Sequence, residues 1–330
     1  DRAVLLDRRT APVAVAAALE DAGARVIWGT DPCIFPKALK NEAEIDGARA
    51  AHLRDGAAMA RFLAWLDRDA PSGRLTEIAI VKRLEAERSA TNSLMDISFD
   101  TIAGAGPNGA IVHYRVTEAT DRRLSMGELM LVDSGGQYID GTTDITRTIA
   151  VGPPPEGAAR AFTLVLKGMI AVSRARFPQG ATGRDLDTLA RAALWREGLD
   201  FDHGTGHGIG SYLCVHEGPQ SLSRRGDTPL RAGMMCSNEP GYYRPGAFGI
   251  RIENLVLIEP ATIPEGGDRP MMGMETLTLA PIDSRLIEAD ALTKGERDWL
   301  NAYHRRVLEE LRPLLDGRDG AWLEAACAAI

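Results

Sequence analysis

Apolar positions along this chain change period several times, and those changes divide it into elements. Residues 4–6, 13–19 and 26–28 form apolar patches that stop at Thr30-Asp31-Pro32, the texture of closing elements of a small α/β unit. From Asn41 the spacing turns helical, with Ile45, Ala48, Leu53, Met59, Phe62 and Leu66 along the pattern and Glu44 in capping-box position. A second helix is predicted from Thr76 to about Ala90. Short β-rich segments follow at 101–103, 110–115, 129–133 and 144–151, separated by Gly, Asn, Pro and Asp turns. Three prolines, 153–155, mark a boundary. The order then repeats, with helices over about 156–176 and 183–197 and β-rich segments to about Pro281.

Helix, helix, sheet, twice over, predicts two related halves whose sheets join and leave a cleft, a common place for a ligand. After Pro281, Thr293 and Glu296 stand in capping-box spacing ahead of Leu300, Tyr303, Val307, Leu311 and Leu314 at helical intervals. That helix either packs against the body of the protein or supplies a homodimer contact.

Composition narrows the classes. With 330 residues, 45% hydrophobic and 5% aromatic, the chain has room for a sizeable core. A net charge of -8 argues against nucleic acid, which requires a basic face. The longest apolar runs, 129–132 and 255–258, are strand-length, so no membrane span is expected. Cys33, Cys214, Cys236 and Cys327 are scattered without a CxxC pair, which suits reduced thiols in a cytoplasmic protein. No charged segment followed by an apolar one opens the chain, so a secretory leader is not expected.

Against that background Asp133, Asp144, His207, Glu239 and Glu253 stand out. Asp133 ends the apolar run 129–132 and precedes Ser134-Gly135-Gly136; Asp144 follows eleven residues later, alternating with Thr142 and Thr146. A hairpin would aim both at one place, although each alone equally fits a turn aspartate. His207 sits in His203-Gly204-Thr205-Gly206-His207-Gly208-Ile209-Gly210, whose glycines permit close approach to a ligand, and His216 follows nearby. Glu239 ends an apolar segment as Asp133 does, and Glu253 shares a strand face with Arg251, next to the doubly apolar 255–258. Four carboxylates and one imidazole exceed what one zinc takes and suit two shared metal ions. Burying them together otherwise forces protonation.

Other templates fail. The glycine spacing around His207 is not GxGxxG, His216-Glu217 is not completed to HExxH, and neither GxSxG nor GxxxxGK[ST] occurs. Cys236, beside Met234 and Met235, reads as a buried strand thiol rather than a nucleophile.

Several segments together resemble the Xaa-Pro aminopeptidase (aminopeptidase P) family: residues 106–114, Asp133-Ser134-Gly135, residues 140–148, 203–210 and 215–219, Glu239-Pro240-Gly241-Tyr242-Tyr243, and residues 249–254. The resemblance runs from about Asp31 to the C-terminal region. It implies the α+β pita-bread fold shared with methionine aminopeptidase, prolidase and creatinase: two pseudo-symmetric halves with helices outside a curved, mostly antiparallel sheet. Residues 1–35 would be the tail of a creatinase-like amino-terminal domain, 36–285 the catalytic domain and 286–330 a helical extension of the cytosolic branch.

The same resemblance implies a dinuclear centre, most often manganese, with Zn²⁺ and Co²⁺ as alternatives; an oxygen-rich shell with one imidazole suits Mn²⁺. Asp144 and Glu253 would bridge the ions, Asp133 would complete one shell, and His207 with Glu239 the other. Glu239 would be the general base toward a hydroxide between the ions. His113, His203 and His216 match the family's active-site histidines, with His113 and His216 touching the peptide, and Arg251 would tune their hydrogen bonds. The substrate would be a peptide with proline in second position. Prolidase is the nearest competitor, and creatinase and catalytically silent binding relatives share the fold. Ser237-Asn238 replaces the Thr-Asp expected before Glu239.

Overall fold

The patches before Asp31 form β1 (Ala3–Leu6), α1 (Val13–Asp21) and β2 (Arg25–Trp28), with the strands paired in parallel from Ala3 opposite Arg25 to Leu6 opposite Trp28. This is a computed structural model, and it describes residues 2–212 and 214–330. Every other strand pairing among the described residues is antiparallel.

Asn41 begins the longest element. Its side chain accepts from the Glu44 amide and the Glu44 carboxylate accepts from the Asn41 amide, both at 3.0 Å, satisfying two otherwise orphaned donors and opening α2 (Glu42–Asp69). Thr76 caps α3 (Glu77–Ser89) through the Ala79 amide. The inner faces of these helices bury Met59, Phe62, Leu66, Ile80 and Leu84 against Ala103, Met130, Val132, Ile145 and Ile149 of a three-stranded sheet. Its strands are β3 (Ile102–Ala105), β4 (Glu128–Ser134) and β5 (Ile145–Val151), in that order. Each large side chain so buried contributes about 1.5–3 kcal/mol, and Phe62→Ala would remove about 3–5 kcal/mol.

The second half repeats the plan. Helices α4 (Ala158–Ser173) and α5 (Gly183–Arg196) cover strands β6 (Met235–Asn238), β7 (Gly241–Arg244), β8 (Phe248–Arg251), β9 (Asn254–Ile258) and β10 (Met274–Thr276). Phe162, Val165, Leu166, Met169 and Leu194 pack on Cys236, Phe248, Ile250, Val256 and Ile258. The halves join where β5 meets the β8–β9 junction: the Glu253 amide donates to the Thr146 carbonyl at 3.1 Å, and the Thr148 hydroxyl donates to the Arg251 carbonyl at 3.0 Å. In β4, Met130 and Val132 face the helices, so Leu131 and Asp133 face the other way.

The capping box at Thr293 and Glu296 opens α6 (Lys294–Leu311), followed by α7 (Gly317–Ala326). Leu300, Tyr303, Val307 and Leu311 are spent in this chain's own core. The buried Arg147 ties α6 to the sheets. It donates to the carbonyls of Glu253, Ala280 and Pro281, to Asn254 Oδ1 and to the Tyr303 hydroxyl.

Two local expectations change. Residues 110–115 are not a strand: a 3₁₀ turn over Gly106–Ala110 leads into turns carrying His113. The strand expected to carry Arg251 and Glu253 on one face breaks at Ile252-Glu253, which frees the Glu253 side chain from sheet alternation. No described helix is long and apolar enough to cross a membrane.

Candidate metal centre

Where the halves meet, a cavity of about 240 Å³ is lined by His113, Asp133, Asp144, His203, His207, His216, Glu239, Arg251 and Glu253, all nine side chains singled out from sequence. Within it, ligand atoms of Asp144, His207 and Glu253 lie within 4.8 Å of one another. Asp133 and Glu239 stand apart from that tight group, each drawn toward Arg251.

Asp133 pairs with Ile102 on one side and Thr146 on the other, so regular pairing in β4 aims it into the cavity. Its Oδ2 accepts from Arg251 Nη2 at 2.6 Å, whereas Oδ1 is buried without a partner. Asp144 lies just ahead of β5, and its Oδ1 is likewise buried and unpartnered. Unpaired buried carboxylate oxygens are costly, and two aimed into one acidic cavity fit coordination to a cation.

His207 occupies a short strand, Gly206–His207, whose glycine is required: a Cβ at Gly206 would come 1.8 Å from the Ser237 carbonyl. The ring contact of His207 Nδ1 with the Gly208 carbonyl, 2.9 Å, assigns the proton to Nδ1 and turns Nε2 toward Asp144 Oδ2 at 3.4 Å and Glu239 Oε1 at 3.6 Å. A backbone carbonyl behind Nδ1 is the usual support of a metal-ligating histidine. Glu239, one residue past β6, is held by its amide to the Thr205 carbonyl at 2.7 Å and by the Ser237 hydroxyl donating to Oε1 at 3.0 Å. Glu253 accepts from the Thr146 hydroxyl at 2.8 Å.

Charge follows geometry. Burial, then the neighbouring carboxylates, raises the pKa values of Glu253 and Glu239 and lifts Asp144 to about 6. Burial works against a charged His207, but Asp144 and Glu239 outweigh it and lift the imidazole to about 9. Such mutual crowding is what divalent cations relieve, and the donor set fits two of them.

The rim behaves oppositely. Burial and the Arg251 charge push His203 down to about 3, and burial with the His207 charge pushes His216 to about 4. His203 Nδ1 contacts the Gly204 carbonyl at 2.7 Å, which assigns its proton there and leaves Nε2 to accept from the Tyr243 hydroxyl at 2.8 Å. Tyr243 in turn accepts from Arg251 Nη1 at 2.6 Å. His216 lies against His207, ring centroids 4.1 Å apart, while His113 is exposed at the rim. Cys236 is buried on the helix side of β6, and its thiol is pushed up to about 12, far from a nucleophile's range.

Sequence reasoning noted Thr146, Ser237 and Tyr243 but gave none of them a role in the site. Thr146 alternates with Asp144 and Ser237 with Glu239, so the period of two already held that signal. Tyr243, four residues past Glu239 on β7, lay within the resembling segment 239–243, but no spacing tied its hydroxyl to His203 and Arg251.

The model of metallopeptidase family M24 matches residues 46–260, and that of the C-terminal region of peptidase M24 matches 270–330. The chain is 48% identical over 295 residues to aminopeptidase P2 of Arabidopsis thaliana, covering 88% of this chain and 42% of that protein. It is 46% identical over 301 residues to a probable Xaa-Pro aminopeptidase P of Laccaria bicolor, covering 89% of this chain and 47% of the relative. The chain thus spans less than half the length of these relatives. Among solved structures it superposes on X-prolyl aminopeptidase from Caenorhabditis elegans, described as a cytosolic enzyme with a di-nuclear active site. That match has a TM-score of 0.91 and 39% identity, over 99% of this chain and 54% of the other. Xaa-Pro dipeptidase from Bacillus anthracis matches with a TM-score of 0.72 and 29% identity, over 86% of this chain and 74% of the other.

Proposed function

Because the chain belongs to metallopeptidase family M24 and has its pita-bread fold, we propose that it is a metal-dependent aminopeptidase releasing the N-terminal residue from peptides with proline second. The observation that carries this reading is the convergence of Asp144, His207 and Glu253 on one point, with Asp133 and Glu239 lining the same cavity.

Asp144, Glu253, Asp133, His207 and Glu239 would together hold two divalent ions, Mn²⁺ in this reading. Bound there, the ions would supply a water acidic enough to be hydroxide near neutral pH and would polarise the scissile carbonyl. Glu239 keeps 17% side-chain exposure and opens into the cavity, so it can take the proton of the attacking water and return it to the proline nitrogen. Holding Glu239 and His207 on one hydroxyl, Ser237 keeps base and ligand in fixed relation. His203, neutral and oriented through Tyr243, presents a dipole rather than a charge, and His113 and His216 at the rim would hold the peptide and its oxyanion. Arg251 anchors Asp133 and Tyr243 together.

The protein would act in the cytoplasm on proline-containing peptides, as a catalytic body over 36–285 with a tail, 1–35, and a helical extension, 286–330. A homodimer contact through α6 would use its outer face, since the inner face is buried within the chain. The test is metal content by elemental analysis, with assay of a proline-second tripeptide beside an Xaa-Pro dipeptide. The metal-loaded protein should cleave the tripeptide, and Glu239→Gln should lose at least about 10²-fold in kcat. Cleavage of the dipeptide alone would make it a prolidase; cleavage of neither would sink the reading.

A further inference from the structure

Glu77 stands at the first position of α3, where an acidic side chain ordinarily faces solvent and the helix's own free amides. Here it is fully buried and turned the other way. Its Oε1 accepts from the Ala105 amide at 2.8 Å and Asn108 Nδ2 at 3.0 Å; its Oε2 accepts from Asn108 Nδ2 at 3.1 Å, the Tyr114 hydroxyl at 2.9 Å and the Arg122 amide at 3.3 Å. The link is reciprocal, since the Glu77 amide donates to the Arg122 carbonyl and the Ile78 amide to Asp121. No cation pairs with Glu77 among the described residues; the carboxylate is spent on neutral donors, all from residues 105–122.

That segment carries His113 and Val112 into the cavity. Both lie between Asn108 and Tyr114, the two side chains that Glu77 holds. Being exposed, His113 cannot be placed by burial, so the course of its backbone decides where the imidazole stands. On the far side the segment presses on β8: a Cβ at Gly249 would fall 1.7 Å from the Gly109 carbonyl, so Gly249 leaves just enough room for that backbone. A contact this close cannot hold the segment by itself, because it has no side chain to grip.

We propose that Glu77 is the positioning residue for His113, fixing segment 105–122 so that the imidazole reaches the peptide at the rim. This rests on the reading of His113 as a substrate-contacting residue. Glutamine is nearly isosteric but would aim an NH₂ group at donors, leaving buried N–H groups unpaired and loosening the segment. Displacement of a catalytic group by about 1 Å can cost about 10²-fold in rate.

The test is a double-mutant cycle on the metal-loaded protein with a proline-second tripeptide, reading kcat, KM and metal stoichiometry. His113→Ala should lower kcat about 10²-fold. Glu77→Gln should lower kcat about 10-fold or more with metal content intact and KM within about threefold. The double variant should be no slower than His113→Ala by more than about twofold, because a group acting only through His113 has nothing left to position. If the losses multiply, or Glu77→Gln retains full kcat, the proposal is overturned while the His113 reading stands. If His113→Ala itself is fully active, that reading falls and takes the proposal with it. Should Glu77→Gln not fold, Tyr114→Phe removes one donor from the same carboxylate. It should lose about threefold in kcat, again masked by His113→Ala, and multiplication there would equally overturn the idea.

Discussion

The β4–β5 ladder of the first half and the strand gaps of the second aim their carboxylates by different means. In the first, seven consecutive pairs join β4 to β5, and side-chain alternation along that ladder points Asp133 inward with no help from a neighbouring hydroxyl. In the second, Glu239 and Glu253 stand in the gaps between β6 and β7 and between β8 and β9, outside the paired strands. Each is held by a donated hydroxyl, from Ser237 and Thr146 respectively. A ladder aims a side chain through many backbone bonds at once; a gap aims it through one or two side-chain bonds. The first arrangement should tolerate nearby substitutions that the second does not.

The largest effect should ignore this difference. Asp144→Asn and Glu253→Gln each remove an anionic ligand from the tight group. Both should drop metal stoichiometry and lower kcat/KM by about 10³-fold or more, whichever half the residue comes from. A variant retaining full metal and activity would break the site as described.

Hydroxyl removal should then separate the halves. Thr146→Val takes away the donor that holds Glu253 and should weaken divalent-ion binding about 10- to 100-fold by titration calorimetry. Ser134→Ala removes a buried hydroxyl that has no partner, at the end of the β4 ladder, and should change metal affinity by less than about threefold. Equal losses would erase the distinction.

The smallest effect is in stability. Asp144 is lifted from 3.8 to about 6 in the folded state by burial and then Asp133, and Glu239 and Glu253 move the same way. A folded-state pKa above the unfolded one means the folded protein holds more protons between the two values, so stability falls as pH rises through that window. His203 and His216, held low, act in the opposite direction on acidification, so the carboxylate share is read against Asp144→Asn: the stability of the chelated protein relative to that variant should be about 1–3 kcal/mol more favourable near pH 4.5 than near pH 7.5 in denaturant melts. A relative stability that instead becomes less favourable toward pH 4.5 would show that the carboxylates do not crowd one another.

What was legible in the sequence follows the same division. The starts of α2 and α6 were readable because Asn41–Glu44 and Thr293–Glu296 are local devices of four residues. Asp133 and Glu239 were readable because each ends an apolar run. Residues 110–115 were misread as a strand because Ile111, Val112 and Tyr114 favour β structure, while the backbone there is claimed by Glu77, some thirty positions earlier, and by the close approach of Gly249. The break at Ile252-Glu253 was hidden for a similar reason: the Ile252 amide donates to the Pro240 carbonyl and the Glu253 amide to Thr146, partners that no periodicity reveals. Long-range acceptors override local propensity where the site is built.

Arg147 sets a practical boundary for anyone cutting the chain. Its guanidinium spans the carbonyl of Glu253, the segment Ala280-Pro281 and the Tyr303 hydroxyl, so one rigid fork connects a candidate ligand's backbone to the middle of α6. Deleting residues 294–330 as a dispensable appendage would strip an acceptor from a buried charge and take Leu300, Val307 and Leu311 out of the core together, exposing the apolar surface they cover. The smallest piece worth expressing for metal-binding work therefore ends beyond α6.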